Sequence, residues 1–135
     1  MKLRISSDRF WYDINDEFGD AGGVYILSCD DQHGVQIPIQ RLLGTDSDGV
    51  IYIGMAQSFL DRVIDLKKSL SPDHLSRNHE CGARHKDHVG ISTQFPYESL
   101  HVKLIQSNNP KEKESSTLKE YIETYGELPP LNRVS

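Results

Sequence analysis

Residues 49–54 are Gly-Val-Ile-Tyr-Ile-Gly, and residues 23–27 are Gly-Val-Tyr-Ile-Leu. Both runs are rich in β-branched and aromatic residues and begin at glycine, a pattern that predicts short buried strands. Residues 100–105, Leu-His-Val-Lys-Leu-Ile, alternate apolar and polar side chains and predict a third core strand. Residues 35–43 also alternate but contain Pro38, so we expect them at a sheet edge or in an extended loop.

Three helices are predicted around these strands. Residues 7–18 can form a short helix with a serine cap. A second helix is expected to begin with Ser58 as its cap and to return to loop at Ser71, because its apolar residues recur at helical spacing. The third is expected over Pro110–Tyr125, with Gly126 as its C-terminal stop. Strands and helices together predict a mixed α/β (α+β) fold.

Length and composition favour a single domain. The chain has 135 residues, 36% of them hydrophobic and 26% charged, which suits one compact domain over residues 1–135 with a modest core. No apolar stretch approaches the roughly 18 to 20 residues that span a bilayer, and the N-terminus lacks the apolar run of a signal peptide. We therefore expect a cytoplasmic protein with no membrane partner. Cys29 and Cys81 are expected to be reduced thiols.

The charge distribution permits contact with nucleic acid but does not indicate it. The net charge of -5 is unfavourable as a whole, since Lys and Arg must neutralise phosphates for such binding. Residues 62–88 are less unfavourable for nucleic-acid binding, because they contain six Lys and Arg against four Asp and Glu, a local net charge of +2. Most local excesses of this size are solvated surface.

Glu114 stands out on the third helix. It lies four residues before Leu118, so a carboxylate shares the stripe of apolar residues that faces the core. Glutamate seldom enters a core unpaired. The alternative is a solvated residue near the helix N-terminus, where a negative charge favours the helix dipole.

Tyr25, Tyr52 and Arg62 each have a structural and a functional interpretation. Strand tyrosines mostly pack an aromatic face and hydrogen-bond through the hydroxyl. An arginine in the first turns of a helix usually lies in solvent or in a surface ion pair. Its guanidinium group can also bind a phosphate through two parallel hydrogen bonds.

The combination of these motifs resembles the GIY-YIG nuclease superfamily. Each motif is weak alone, but their combination and order are specific. The resemblance covers about residues 22–133, nearly the whole chain. The motifs are Gly23-Val24-Tyr25, Tyr52-Ile53-Gly54, Leu60-Asp61-Arg62, Glu114 with Leu118, and Pro130-Leu131-Asn132.

The resemblance implies a three-stranded antiparallel sheet flanked by helices and metal-dependent phosphodiester hydrolysis with one Mg²⁺ or Mn²⁺ ion. It implies that Glu114 is the only protein carboxylate on the metal, an incomplete ligand set that suits Mg²⁺. Arg62 would stabilise charge on the scissile phosphate. Tyr25 would activate or orient the attacking water, with Tyr52 beside it. Because free tyrosine has a pKa near 10, this role needs a cation nearby, which Arg62 and the metal could supply.

The remaining site residues follow from the same resemblance or from the basic segment. Gly54 would let the chain pass close to the site, and Asn132 would support the site through hydrogen bonds. Three cations of the basic segment are candidates for substrate binding: Lys67, Lys68 and Arg84.

His79 is a further catalytic candidate. Some family members place a histidine near the tyrosines, where it could shuttle a proton, and its pKa suits that role. A polar loop residue is the alternative. A third interpretation takes His79, Cys81, His85 and His88 as zinc ligands, although their spacing matches none of the usual paired patterns.

The sequence departs from the simplest family pattern. Val24 replaces the isoleucine of the first motif, and Tyr25 and Tyr52 are 27 positions apart, which makes residues 29–48 an insertion that can form an extra edge hairpin. We expect no separate DNA-binding module after the domain, so that target choice would come from loops or a partner protein.

The sequence thus predicts a metal-dependent endonuclease that cuts DNA, or RNA. The alternative is a catalytically inactive nucleic-acid or protein-interaction module on the same fold.

Overall fold

The computed structural model describes residues 1–133 and combines helices with antiparallel sheet. One turn of 3-10 helix, Tyr97–Ser99, precedes the last strand. In chain order the elements are β1 (Lys2–Arg4), α1 (Phe10–Phe18), β2 (Gly23–Cys29), β3 (Ile39–Arg41), β4 (Gly44–Asp46), β5 (Val50–Ala56), α2 (Phe59–Leu70), α3 (Glu80–Asp87), α4 (Val89–Gln94), β6 (Leu100–Gln106) and α5 (Pro110–Tyr125). The mixed α+β class that the sequence predicts is confirmed.

The main sheet has four strands in the order β1-β6-β2-β5, and every neighbouring pair is antiparallel. The expectation of three strands is wrong by one, because β1 pairs with the outer side of β6, with Leu3 opposite Val102. A three-residue strand is too short to show a reliable alternation in sequence. On the other side of the sheet β5 is an edge strand, which leaves one of its backbone rows open to other parts of the chain.

The predicted insertion forms a hairpin of its own. β3 and β4 make a separate two-stranded sheet, and β3 begins immediately after Pro38. Asp46 closes the hairpin, since its carboxylate accepts hydrogen bonds from the amides of Asp48 and Val50 and from the hydroxyl of Tyr121 on α5. The hairpin is therefore tied to α5 and to the start of β5.

Helices cover both faces of the main sheet. Tyr25 and Leu27 of β2 face a large core that also contains buried residues of α1 and α2. Val24 and Ile53 face the other side, where they pack against Leu118 of α5. Alternate residues of β2 thus enter different cores, as the two-residue period of a strand requires.

A β-bulge interrupts the pairing of β2 with β5. Tyr52 lies opposite Leu27, but the next pair joins Ser28 to Val50, so Ile51 is an extra residue. Ile51 packs in the same core as Leu27 rather than in the core on the other face. A bulge commonly redirects side chains beside a functional site.

Helix ends were predicted with unequal success. α5 spans Pro110–Tyr125, and Gly126 follows with a left-handed φ of 80°, as predicted. Ser58 does lie at the N-cap position of α2, but its side chain makes no capping hydrogen bond. α1 starts at Phe10 and has no serine cap, so that expectation is wrong. Within residues 1–133, no helix has the length and apolar character needed to cross a bilayer.

Candidate active site

Tyr25 and Tyr52 lie on adjacent strands and on the same face of the sheet. Tyr25 of β2 is directly opposite Gly54 of β5, and Tyr52 is opposite Leu27, two residues further along β2. Diagonal neighbours of this kind are within reach of aromatic side chains. The two ring centroids are 6.1 Å apart. The structure thus places the two motif tyrosines side by side on neighbouring strands.

Gly54 makes room for the ring of Tyr25. A Cβ atom at position 54 would lie 2.4 Å from Tyr25 Cζ and 2.5 Å from the Tyr25 hydroxyl oxygen, well inside van der Waals contact. The ring lies across the β5 backbone at this point. The glycine of the second motif is thus explained by the tyrosine of the first, because any larger side chain would displace that ring.

His79 completes an aromatic cluster with the two tyrosines. It immediately precedes α3 and is fully buried, and its amide donates a hydrogen bond to Ser69 Oγ. His79 Nε2 lies 2.7 Å from the hydroxyl oxygen of Tyr25. The His79 ring is also 5.5 Å from the ring of Tyr52, centroid to centroid. The structure therefore brings His79 to the tyrosine pair and does not leave it in a polar loop.

Burial keeps all three groups of this cluster neutral. It raises the pKa of Tyr25 well above its ordinary value and raises the pKa of Tyr52 to about 12. Burial and, to a smaller extent, the positive charge of Arg62 together lower the pKa of His79 to about 3. Arg62 also lowers the pKa of both phenols, as expected, but burial outweighs it. At neutral pH the cluster thus holds two phenols and one uncharged imidazole.

Arg62 lies on α2 at the rim of this cluster. One of its guanidinium nitrogens donates to the carbonyl of Asn78 at 3.2 Å and lies 3.9 Å from the carboxylate of Asp65. The side chain is 39% exposed, so the guanidinium is anchored on one side and open to solvent on the other. A guanidinium group held in this way can present its remaining N–H groups to a phosphate.

Glu114 is the fifth residue of α5 and is half-buried. Burial raises the pKa of its carboxyl group, and the charge of Lys111 opposes that rise. Among residues 1–133, no side chain or backbone amide forms a hydrogen bond or ion pair with this carboxylate. A partly desolvated carboxylate without a partner is unfavourable and favours an added cation. The interpretation of Glu114 as a fully solvated residue does not fit its burial.

These side chains line one open cleft of about 460 Å³. Tyr25, Tyr52, Arg62 and Glu114 all contribute to its wall, and the carboxylates of Asp61 and Asp65 lie beside Arg62. The cleft lies at the edge strand β5, where α5 from one face of the sheet and α2 from the other come together. Residues separated by up to 89 positions in the chain thus share one wall.

Asn132 supports this edge of the sheet. Its side-chain oxygen accepts a hydrogen bond from the amide of Ile53, and its side-chain nitrogen donates to the carbonyl of Ile53, each at 2.9 Å. The amide of Leu131 donates to the carbonyl of Ile51. The C-terminal segment therefore pairs with β5 like a short strand and holds the residues on either side of Tyr52. Asn132 is in this way a positioning residue.

The three cations expected to bind substrate do not gather at the cleft. Lys67 Nζ donates to the carbonyl of Ile5 at 2.6 Å and contacts the Phe10 ring, which ties α2 to the N-terminal segment. Arg84 donates to the carbonyl of Leu131 at 2.7 Å. Lys68 is exposed on α2 but is not part of the cleft wall. Lys67 and Arg84 thus have intramolecular partners, and the structure gives them a role in packing.

The four residues of the zinc interpretation point to different partners. His79 bonds to Tyr25, the His85 ring bonds to the carbonyl of Phe95, and His88 Nδ1 accepts from the amide of Ile91. Cys81 is buried as a free thiol. In the part of the chain that the structure describes, no three His, Cys, Asp or Glu side chains converge as a metal site. The zinc interpretation is therefore not supported.

A site with a single protein carboxylate needs no such convergence. Glu114 fits it by its chemistry, since an unpaired, partly desolvated carboxylate facing an open cleft is a suitable single ligand for Mg²⁺, which keeps most of its waters. Glu114 is thus suited to hold the ion, and it lies in the same wall as the two tyrosines and Arg62.

Near this wall lies a lysine that the sequence motifs did not indicate. Lys111 lies three residues before Glu114 and lines a second concavity next to the cleft. Its spacing from Glu114 is the signal that could have found it, because residues three apart on a helix share a face.

Comparison of the chain with protein-family models, with curated proteins and with solved structures finds no match.

Proposed function

We propose that this protein is a metal-dependent endonuclease of the GIY-YIG type, which hydrolyses phosphodiester bonds in DNA or RNA. The observation that carries the proposal is the 2.7 Å contact between the hydroxyl of Tyr25 and Nε2 of the buried His79, because Tyr25 also shares a cleft wall with Tyr52, Arg62 and Glu114. A buried tyrosine needs a hydrogen-bond partner, but packing alone does not require an arginine and an unpaired carboxylate beside it.

In this proposal Tyr25 and His79 move one proton. His79 is uncharged at neutral pH, so its Nε2 has a lone pair that can accept the proton of the Tyr25 hydroxyl. Because burial makes the imidazolium unfavourable, His79 holds this proton only while the bonds to phosphorus change and then returns it through Tyr25 to solvent. The Tyr25 oxygen in turn takes a proton from the attacking water. The water oxygen then bonds to phosphorus, the bond to the leaving oxygen breaks, and the leaving oxygen takes a proton from solvent. Tyr25 is thus a relay, which avoids the need for a stable phenolate.

Arg62 and Glu114 supply the charge complementarity. The free N–H groups of Arg62 would donate to a non-bridging oxygen of the phosphate, where charge grows in the transition state. Glu114 would hold one divalent ion. When bound, such an ion neutralises phosphate charge and lowers the barrier for departure of the leaving oxygen. Tyr52 would orient the phosphate or its water beside Tyr25.

The test is cleavage by the Glu114→Gln variant, with Glu120→Gln as the matched control. Glu120 lies on the same helix but is exposed, so the control loses the same charge outside the cleft. Plasmid, duplex and single-stranded DNA and RNA are incubated with Mg²⁺, Mn²⁺ or EDTA. We expect wild type and Glu120→Gln to cut in the presence of metal, and Glu114→Gln to be at least about 10³-fold slower because a charged ligand is lost at nearly constant shape.

Folding has to be measured beside activity. Glu114→Gln should melt at the same temperature as wild type in EDTA or slightly higher, since an unpaired carboxylate is unfavourable to desolvate. Cleavage by a folded Glu114→Gln protein at the rate of wild type would remove this mechanism.

A non-catalytic module is the second candidate, and two observations favour it. Tyr25 is only 1% exposed, and the net charge is -5. A module of this kind would bind nucleic acid or a protein and leave every substrate intact with either metal. The same cleavage panel separates the two candidates.

A further inference from the structure

A second concavity of about 280 Å³ lies next to the cleft and shares two lining residues with it. Tyr52 and Glu114 line both spaces. The two spaces therefore meet at these side chains and form one groove with two arms. We name the second space the Lys111 arm; its further lining includes Ile53, Leu118, Leu131 and Lys111.

The two arms differ in charge. Beside the shared Glu114, the first arm contains Arg62 together with Asp61 and Asp65, so the surplus charge of its own residues is negative. The Lys111 arm contains two cations, Lys111 and Arg133, and one further carboxylate, that of Glu80. With the shared Glu114 counted, the Lys111 arm is neutral and the first arm is negative, so a polyanion that reaches the shared wall would be repelled less along the Lys111 arm than along the first arm.

Within the Lys111 arm the two cations are not equivalent. Arg133 is paired with Glu80 at 3.0 Å. Lys111 is exposed, and among residues 1–133 its ammonium group has no ion pair or hydrogen bond. It is close enough to Glu114 to oppose the burial-induced rise of that pKa. Lys111 is thus a free cation at the groove, one helical turn from the proposed metal ligand.

Three apolar side chains, Ile53, Leu118 and Leu131, lie beneath the mostly polar lining of this arm. Leu118 and Leu131 are 2% and 4% exposed, and Ile53 is 2% exposed. They offer little surface to a base or sugar, so a nucleotide in this arm would be bound mainly through its phosphate, by the cation at the rim. Lys111 and Glu114 lie three residues apart on α5 and line the same arm, so this nucleotide would be next to the hydrolysed bond.

We infer that the Lys111 arm holds the nucleotide adjacent to the scissile phosphate and that Lys111 binds its phosphate. This inference rests on the proposed function and adds to it the direction in which the substrate strand runs. The strand would leave the cleft along α5 and away from Asp61 and Asp65. Lys111 is therefore a substrate-positioning residue and takes no part in proton transfer.

The test compares Lys111→Ala with Lys113→Ala. Lys113 is an exposed lysine two positions further along α5, so its removal changes the net charge equally but lies on another face of the helix. The probe is a fluorescein-labelled 20-base-pair DNA duplex, titrated with protein in EDTA at three salt concentrations. A single-stranded DNA and an RNA probe of the same sequence distinguish between substrate classes.

Loss of one phosphate contact has a calculable signature. The slope of log K against log salt should become shallower by about 0.9 in Lys111→Ala, and affinity near 0.1 M salt should fall about 8-fold. Lys113→Ala should stay within about twofold of wild type, because it makes no direct phosphate contact. With Mg²⁺, Lys111→Ala should raise KM and leave kcat unchanged, and Lys111→Arg should restore KM.

Two results would overturn the inference in different ways. If wild type cuts DNA and Glu114→Gln does not, yet Lys111→Ala and Lys113→Ala have the same affinity and salt slope, the Lys111 arm is not the subsite while the nuclease proposal stands. If wild type neither binds nor cuts any probe, the nuclease proposal fails, and the subsite inference fails with it.

Discussion

Replacing Gly54 by alanine is the sharpest single test of how the two tyrosine motifs fit together. The new Cβ would lie 2.4 Å from Tyr25 Cζ and 2.5 Å from its hydroxyl oxygen. Carbon atoms in contact are normally about 3.5 to 4.0 Å apart, so the ring must move by about 1 Å or more. The hydroxyl is 2.7 Å from His79 Nε2, and a shift of that size would break this hydrogen bond.

The expected loss of stability follows from these two effects. Overpacking a well-filled core typically costs about 1 to 3 kcal/mol. Loss of a buried hydrogen bond adds about 1 kcal/mol. The free energy of unfolding should therefore fall by about 2 to 4 kcal/mol, which for a domain of this size lowers Tm by roughly 10 °C. If Tyr25 and His79 move the proton, the cleavage rate should fall about 10²-fold as well, because their geometry is lost.

Thermal unfolding followed by circular dichroism and initial cleavage rates measure the two effects. Gly90→Ala is the control, since its Cβ would meet only the side chain of His88, at 3.1 Å. A double-mutant cycle with Tyr25→Leu adds a second check. Once the ring is gone, Gly54→Ala should be milder than in wild type, with a coupling energy of about 1 kcal/mol or more. A Gly54→Ala protein whose Tm falls by less than about 2 °C would refute the reasoning.

Three further predictions concern the rest of the site. Arg62→Ala should lower kcat about 10² to 10³-fold with little change in KM, and steady-state kinetics that show a raised KM and an intact kcat would make Arg62 a docking group. His79 has a pKa of about 3 in the folded protein against an ordinary value near 6.5, so below about pH 6.5 the unfolded chain binds a proton that the folded protein does not. The free energy of unfolding should therefore fall as the pH drops below about 6.5, by up to about 1.4 kcal/mol per pH unit from this group. Urea unfolding at pH 7, 5.5 and 4.5 should give a flatter profile for His79→Phe, and parallel profiles would contradict the assignment. Asn132→Ala removes both hydrogen bonds to Ile53 and should lower the free energy of unfolding by about 1 to 3 kcal/mol, measured against Asn108→Ala, an exposed asparagine.

The sequence alone determined the elements whose signals are local. Pro110 and Gly126 bound α5 because proline suits a first helical turn and glycine suits a left-handed C-cap. β-branched and aromatic runs located β2 and β5. The same local reasoning placed residues 35–43 at a sheet edge or in an extended loop, because Pro38 excludes a central strand, and β3 begins directly after it in a two-stranded sheet. Each of these conclusions depends on residues within a few positions of one another.

Local signals failed where elements are short or polar. β1 has three residues, and α3 and α4 have eight and six, with mostly polar or small side chains. Such segments carry too little periodic pattern to be recognised, and packing against α2 and β6 stabilises them instead. Neither predicted serine cap makes a capping hydrogen bond, although Ser58 does occupy the N-cap position of α2. A serine before a helix permits a cap but does not require one.

Only the tertiary structure decided which polar groups meet. His79 and Tyr25 are 54 positions apart, and the fold alone places their atoms 2.7 Å from each other. Lys67 and Lys68 are neighbours in sequence, yet the ammonium group of Lys67 binds the carbonyl of Ile5 while Lys68 remains exposed. The physical reason is that secondary structure depends on local backbone and periodicity, whereas the burial and pairing of a charge depend on every segment packed around it.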